Sequence, residues 1–234
     1  ISIARRLGVM LGNQEEWKTA ETPTYTCIYS QLKWCQENSQ SGLFCDKADI
    51  GKTFTARSYV KDNKNAVYID CSQVKSKQKL VRQIAREYGI NHTGRYMDVY
   101  DDLVYYLRTV GSGLIILDEA GDLDYAAFLE IKALWNATEG LCAWYMMGAD
   151  ALKAKIENNM GRKKVGYAEI FSRFGSRYQR ITPAGSEEWK EFSLAQVAII
   201  AKANYEKADI RKIYAATEGS LRRIPHEIRK QKAA

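Results

Sequence analysis

Leu114-Ile115-Ile116-Leu117-Asp118-Glu119 is an unbroken apolar run that ends in two acids. Four consecutive apolar residues behind Gly113 read as a strand buried on both faces, the pattern of a parallel sheet. Two carboxylates at the C-terminal tip of such a strand are costly to expose beside a core unless they serve a cation or a water. Sixty-six residues upstream stands Gly51-Lys52-Thr53, between a short apolar run (Gly42 to Cys45) and a helical pattern beginning at Lys52. A strand–turn–helix with this ending is the setting in which backbone N–H groups and a helix N-terminus hold phosphate. Lys52 is then expected to reach the terminal phosphates of a bound ATP. Thr53 and Asp118 are expected to hold Mg²⁺, and Glu119 to polarise the attacking water. Asp46, Asp49, Ile50, Gly51 and Phe54 complete the expected nucleotide-binding segment.

The loop departs from the full G-x-x-x-x-G-K-[ST] pattern. Asp46 stands where Gly is wanted, and Asp49 where many such loops carry a second Gly. Glycine adopts positive φ freely, other residues less so, and carboxylates repel a triphosphate. Weak nucleotide affinity is therefore expected.

Outward from these motifs, strands and helices alternate. Strands are expected over 42–45, 66–71, 113–117, 141–147 and 178–181. Helices are expected over 24–37, 52–60, 76–88, 98–110 and 125–138. The fold class is therefore α/β, a parallel sheet covered on both faces. After Pro183 only helical patterns remain, over 192–205, 210–217 and 220–232, which predicts a small helical subdomain joined at Pro183-Ala184-Gly185. Residues 1–20 form a lead-in with a small helix over Ser2–Val9, residues 21–184 the core, and residues 185–234 the helical part. The chain opens on Ile1 rather than Met, so further sequence is expected upstream.

The 234 residues carry a formal charge of +7. Residues 210–234 contribute a net +5 and residues 153–164 a net +4. Such clusters suit a polyanion. Phosphates of a polyanion are expected at Lys153, Lys155, Arg162, Lys163 and Lys164, with help from Lys61, Lys64, Lys75 and Lys77 in the segments flanking the second strand; the resemblance given below implies that the polyanion is duplex DNA. The five cysteines form no C-x-x-C pair and do not cluster with His92 or His226. A zinc site and a disulfide framework are not expected, and reduced thiols point to the cytoplasm. No apolar run approaches the ~20 residues of a membrane span.

Two further basic motifs stand out. Phe171-Ser172-Arg173-Phe174-Gly175-Ser176-Arg177 sets two arginines before the last expected strand, where either can meet a neighbour's phosphate. Gly219-Ser220-Leu221-Arg222-Arg223 puts arginines in the expected first turn of the last helix. They oppose the helix dipole there, which points to an anionic partner.

Glu16-Trp17-Lys18-Thr19-Ala20-Glu21-Thr22-Pro23-Thr24, the Gly51-Lys52-Thr53 loop, the Asp118-Glu119 strand, the two-arginine segment and Gly219–Arg223 together resemble the AAA+ ATPases that assist DNA transposition. This is the group of Mu-type transposition B proteins and their prophage relatives. The resemblance covers about residues 14–232. It implies a three-layer AAA+ sandwich followed by a helical lid. It also implies ATP-dependent binding to duplex DNA, self-association into rings or helical filaments, and stimulation of a partner transposase. On this resemblance Arg177 or Arg173 is the trans-acting finger and Arg222 the lid sensor, and Ile1–Val9 can be the tail of an upstream helix-turn-helix domain. The loop acids leave two alternatives: a DNA-binding scaffold that does not hydrolyse ATP, and a replication-initiation or helicase-loading ATPase.

Overall fold

The computed structural model describes residues 17–233, so the helix expected over Ser2–Val9 lies outside the described residues. Helix α1 (Pro23–Asn38) begins at Thr22, whose hydroxyl accepts from the Tyr25 N–H, with Pro23 in the first turn, where a missing N–H costs nothing. Strand β1 (Gly42–Cys45), helix α2 (Lys52–Asp62), strand β2 (Ala66–Asp70), helix α3 (Lys77–Glu87) and helix α4 (Tyr96–Thr109) follow. Then come strand β3 (Gly113–Asp118), helix α5 (Tyr125–Ala137) and strand β4 (Cys142–Gly148). Asp124 caps α5 by accepting from the Ala127 N–H.

The four strands are parallel, in the order β1-β4-β3-β2. Alternate residues of β3 serve opposite faces. Ile115 and Leu117 pack with α3 to α5, while Leu114 and Ile116 pack with α1 and α2. A strand buried on both faces must be apolar at every position, which is why 114–117 carries no polar residue.

The strand expected over 178–181 is reduced to one bridge, Phe44 to Gln179. The reason is visible two residues on. The Ile181 and Thr182 N–H groups donate to the Asp46 carboxylate at 2.7 and 2.9 Å, so a side chain takes the place of the next ladder partner. Two helices go beyond the expected set, α6 (Asp150–Gly161) and α7 (Tyr167–Arg173). Only Leu152 and Ile156 of α6 are buried, a one-turn repeat too sparse to stand out among its polar residues.

Helices α8 (Ser186–Asn204), α9 (Ile210–Thr217) and α10 (Ile224–Ala233) close around Val197, Ala201, Ile213, Ile224 and Ile228. Helix α8 starts six residues before the expected Phe192, and its early Trp189 packs on the core instead. No helix among the described residues is long and apolar enough to cross a membrane.

Candidate nucleotide-binding site

The segment after β1 turns over the end of β4, held by Asp46 N–H donating to Gly148 O at 3.2 Å. Gly51 lies at φ +99°, a conformation that favours glycine, and hands the chain to α2. Ile50 is buried in the core beside α1, so its backbone alone faces the loop. The N–H groups of Lys52, Thr53 and Phe54 form the open first turn of α2 and have no acceptor among the described residues. Such a turn suits an anion.

Lys52 is buried, and its ammonium donates to Asp46 O at 2.9 Å and Lys47 O at 2.6 Å. Burial pulls its pKa down, opposed by the negative charge of Asp118 and Glu119. Those acids approach from the tip of β3. The Thr53 hydroxyl donates to Asp118 Oδ2 at 2.6 Å, across 65 residues of chain. Asp118 is 1% exposed, and its Oδ1 accepts from the Glu119 N–H. A buried carboxylate beside a hydroxyl is an oxygen donor set that suits Mg²⁺. Glu119 is exposed, at φ +50°, and partial desolvation of its carboxyl, with the neighbouring Asp118 charge, raises its pKa.

Sequence reasoning missed Tyr68. From β2 its hydroxyl donates to Asp118 Oδ2 at 2.9 Å, the oxygen that Thr53 also meets, while the Arg57 guanidinium lies 4.9 Å over its ring. In sequence Tyr68 reads only as a strand-former; the Asp70–Asp118 register of β2 and β3 is what brings it to the acid.

The two loop acids behave differently from the expected repulsion. The Asp46 carboxylate is buried and fully engaged: Oδ2 by the 181–182 backbone, Oδ1 by the Lys47 N–H and the Thr182 hydroxyl. It fastens the loop to residues 181–182. Asp49, at φ +59°, points its carboxylate to the C-terminal helices, accepting from Ser220 Oγ at 2.9 Å and facing Arg222 Nε at 3.3 Å. Arg222 and Arg223 sit in a 3-10 turn (Leu221–Arg223) ahead of α10 rather than in its first turn. Phe54 is 45% exposed, with its ring 6.5 Å from that of Tyr25.

Arg173 and Arg177 lie toward the other end of the sheet, near the start of β1, and do not join the site of their own chain. Arg173 donates to Asn136 and lies 5.3 Å over Trp135. Arg177 is exposed with no partner among the described residues.

The expected DNA-contacting residues divide. Lys75 pairs with Asp122 at 3.3 Å, Lys77 with Glu130 at 3.5 Å, and Lys164 lies 4.0 Å over the Tyr125 ring, all around the turn after β3. Lys153, Arg162 and Lys163 are exposed nearby on α6 and its C-terminal turn, Lys153 with Glu157 at 3.9 Å. Lys155 is not free. Its ammonium donates to Gly121 O at 2.8 Å and to Leu123 O, and burial pulls its pKa down. Lys61 and Lys64 sit at the opposite end of β2 from Lys75 and Lys77, so the four do not form one surface. Among the described residues no group of three or more His, Cys, Asp or Glu is placed to hold a metal by itself, and the five cysteines are free.

A family model described as an AAA domain matches residues 36–156. The chain is 25% identical over 217 residues to the ATP-dependent target DNA activator B of Escherichia phage Mu, covering 89% of this chain and 64% of that protein. It is 22% identical over 213 residues to the Mu-like prophage FluMu DNA transposition protein B of Haemophilus influenzae, covering 86% and 73%. This chain thus spans a little under two thirds of the phage Mu protein. Among solved structures, the Orc1 protein of Aeropyrum pernix in complex with DNA superposes with a TM-score of 0.64 at 15% identity, over 92% of this chain and 60% of that one. Cdc6p of Pyrobaculum aerophilum superposes with a TM-score of 0.63 at 18% identity, over 90% and 62%. At such identities the likeness is one of fold: the parallel sheet, its covering helices and the C-terminal helical region. The family model spans just over half of the sequence and takes in the 46–54 loop and the β3 acids, and the chain belongs to the AAA domain family.

Proposed function

We propose that this protein is an ATP-dependent, DNA-binding ATPase that assembles on duplex DNA as a ring or helical filament and assists a transposase in choosing its target. The observation that carries the nucleotide reading is the meeting of Thr53 and Asp118 beside the buried Lys52 and the open first turn of α2. In this reading the loop 46–54 binds ATP, with Lys52 on the β- and γ-phosphates. Mg²⁺, held by Thr53 and Asp118, would neutralise charge on the phosphates. Glu119 takes the proton of the attacking water; desolvation and the Asp118 charge raise its pKa, which strengthens it as a base. Arg177 is the better finger for a neighbour's nucleotide, because Arg173 is already held by Asn136 and Trp135. The helices after Gly185 act as a lid, and Arg222 as its sensor of the terminal phosphate. Names of the relatives supply the DNA and transposition part of the reading.

The scaffold alternative rests on repulsion by Asp46 and Asp49, and both carboxylates have other partners.

The test is duplex DNA binding with and without ATP and Mg²⁺, for wild type and Lys52→Ala. Nucleotide should tighten wild-type binding and leave the variant unmoved. Equal ATP affinity for both proteins by calorimetry would overturn the loop assignment.

A further inference from the structure

The phosphate loop and the lid are joined by polar links that converge on one residue. Asp49 O accepts from the Leu221 N–H at 3.1 Å. Asp49 Oδ2 accepts from Ser220 Oγ at 2.9 Å, and Oδ1 faces Arg222 Nε at 3.3 Å. The Leu221 side chain lies 3.6 Å from where a Cβ would stand on Gly51, so the lid turn sits directly on the loop's glycine. Asp49 itself is at φ +59°, where glycine is the residue without steric penalty. An acid at this position exchanges conformational ease for a side chain that reaches the lid.

The way Arg222 is held matters. Asp49 engages it by Nε, and the two terminal nitrogens meet no other acceptor among the described residues. The guanidinium is a planar fork, so fixing Nε fixes the direction of the other two donors. The side chain is 78% exposed and without this partner would be free to rotate.

We propose that Asp49 is a positioning residue for Arg222: it aims the lid arginine, by Nε, so that the free terminal nitrogens meet the outermost phosphate of ATP. This rests on the nucleotide reading of the loop given above. Asp49 then selects triphosphate over diphosphate, rather than weakening all nucleotides by repulsion. The two accounts differ in sign. Repulsion predicts that removing the carboxylate tightens ATP and ADP alike. Positioning predicts that ATP alone loosens, because ADP has no phosphate for Arg222 to meet.

The experiment measures ATP and ADP affinities by calorimetry for wild type, Asp49→Ala, Asp49→Asn, Arg222→Ala and the double variant Asp49→Ala/Arg222→Ala. Misorienting one charge-assisted hydrogen bond should lower ATP affinity about five- to tenfold in Asp49→Ala, with ADP within about twofold. Asp49→Asn keeps an acceptor for Ser220, loses the charge opposite Arg222, and should fall between. In the Arg222→Ala background, Asp49→Ala should leave the ATP-to-ADP ratio unchanged, the sign of two residues acting through one interaction. Tighter ATP binding in Asp49→Ala, equal losses for ATP and ADP, or additive effects in the double variant would overturn the proposal while leaving the loop assignment standing. A wild type that binds neither nucleotide would overturn the loop assignment itself, and this role with it.

Discussion

At the tip of β3 the Asp118 carboxylate is 1% exposed and held by Thr53, Tyr68 and a backbone N–H. In the C-terminal helical region, Arg222 has a side chain 78% exposed and, among the described residues, one partner, Asp49. The first group is fixed by a sheet whose clusters on both faces include nearly every apolar residue of the core. The second rides on three helices whose own buried centre is Val197, Ala201, Ile213, Ile224 and Ile228. Several links between the two regions are polar, beside the packing of Trp189 on the sheet's apolar cluster. Thr24 N–H to Gln196 at 3.4 Å, Lys18 to Asn204 and the Asp49 interactions are polar, while Lys47 lies 4.0 Å over Trp189. Water can replace such interactions at small net cost, whereas separating buried apolar faces costs in proportion to area. Under the function proposed above, the sheet would supply the preorganised chemistry and the C-terminal helices the nucleotide-dependent movement.

The sharpest way to break this assignment is at the sheet. Glu119→Gln should keep ATP binding and slow hydrolysis at least about tenfold, since it removes the base and its charge. The acid limb of the wild-type rate should lie above the ordinary glutamate value of about 4.3, because the folded pKa is raised and the base is lost as pH falls through it. Gln at 119 should abolish that limb. Hydrolysis as fast as wild type would remove Glu119 from the mechanism.

Unequal stability is the next test. Ile213→Ala empties part of the lid's small centre and should cost about 2–4 kcal/mol. Amide exchange should quicken across α8 to α10 while β3 and β4 stay protected. Uniform loss of protection would show that sheet and lid unfold as one unit.

The proposed DNA surface depends on which cations face solvent. Neutralising Lys153, Arg162, Lys163 and Lys164 together should weaken binding to all duplex sequences alike. It should also flatten the slope of log K against log salt, by about 0.9 for each DNA phosphate that these residues would otherwise neutralise. Lys155→Ala should leave that slope unchanged and lower stability instead, because its ammonium is held by Gly121 and Leu123. An unaltered slope in the fourfold variant would move the DNA surface to the basic residues of 211–232.

The smallest effect concerns Tyr68. Tyr68→Phe removes one hydrogen bond from Asp118 and should raise the Mg²⁺ concentration for half-maximal ATP hydrolysis about two- to fivefold. Metal-free nucleotide binding should not change. A loss of nucleotide affinity without Mg²⁺ would make Tyr68 part of the loop's support instead.

What the sequence determined by itself was whatever depends on pattern along the chain. The apolar run 114–117 demands a strand buried on both faces, and the acids after it have to lie at its tip. Lys52 and Thr53 have to open a helix, because a strand and a Gly turn precede them. The break at Pro183 to Gly185 separates alternating elements from purely helical ones. Tertiary structure alone decided where side chains point and whom they meet. Asp46 and Asp49 look alike as loop acids, yet one clamps residues 181–182 and the other grips the lid, 136 and 171 residues away at their hydrogen-bonding partners. Lys155 counts as a surface cation by type and is a half-buried donor to two carbonyls by placement. Tyr68 reads as a strand residue and becomes a holder of Asp118. The strand expected at 178–181 shrinks to one bridge because a carboxylate from the loop claims its amides. In each case the partner comes from a distant segment, and local propensity carries no information about which buried donor an acid will satisfy.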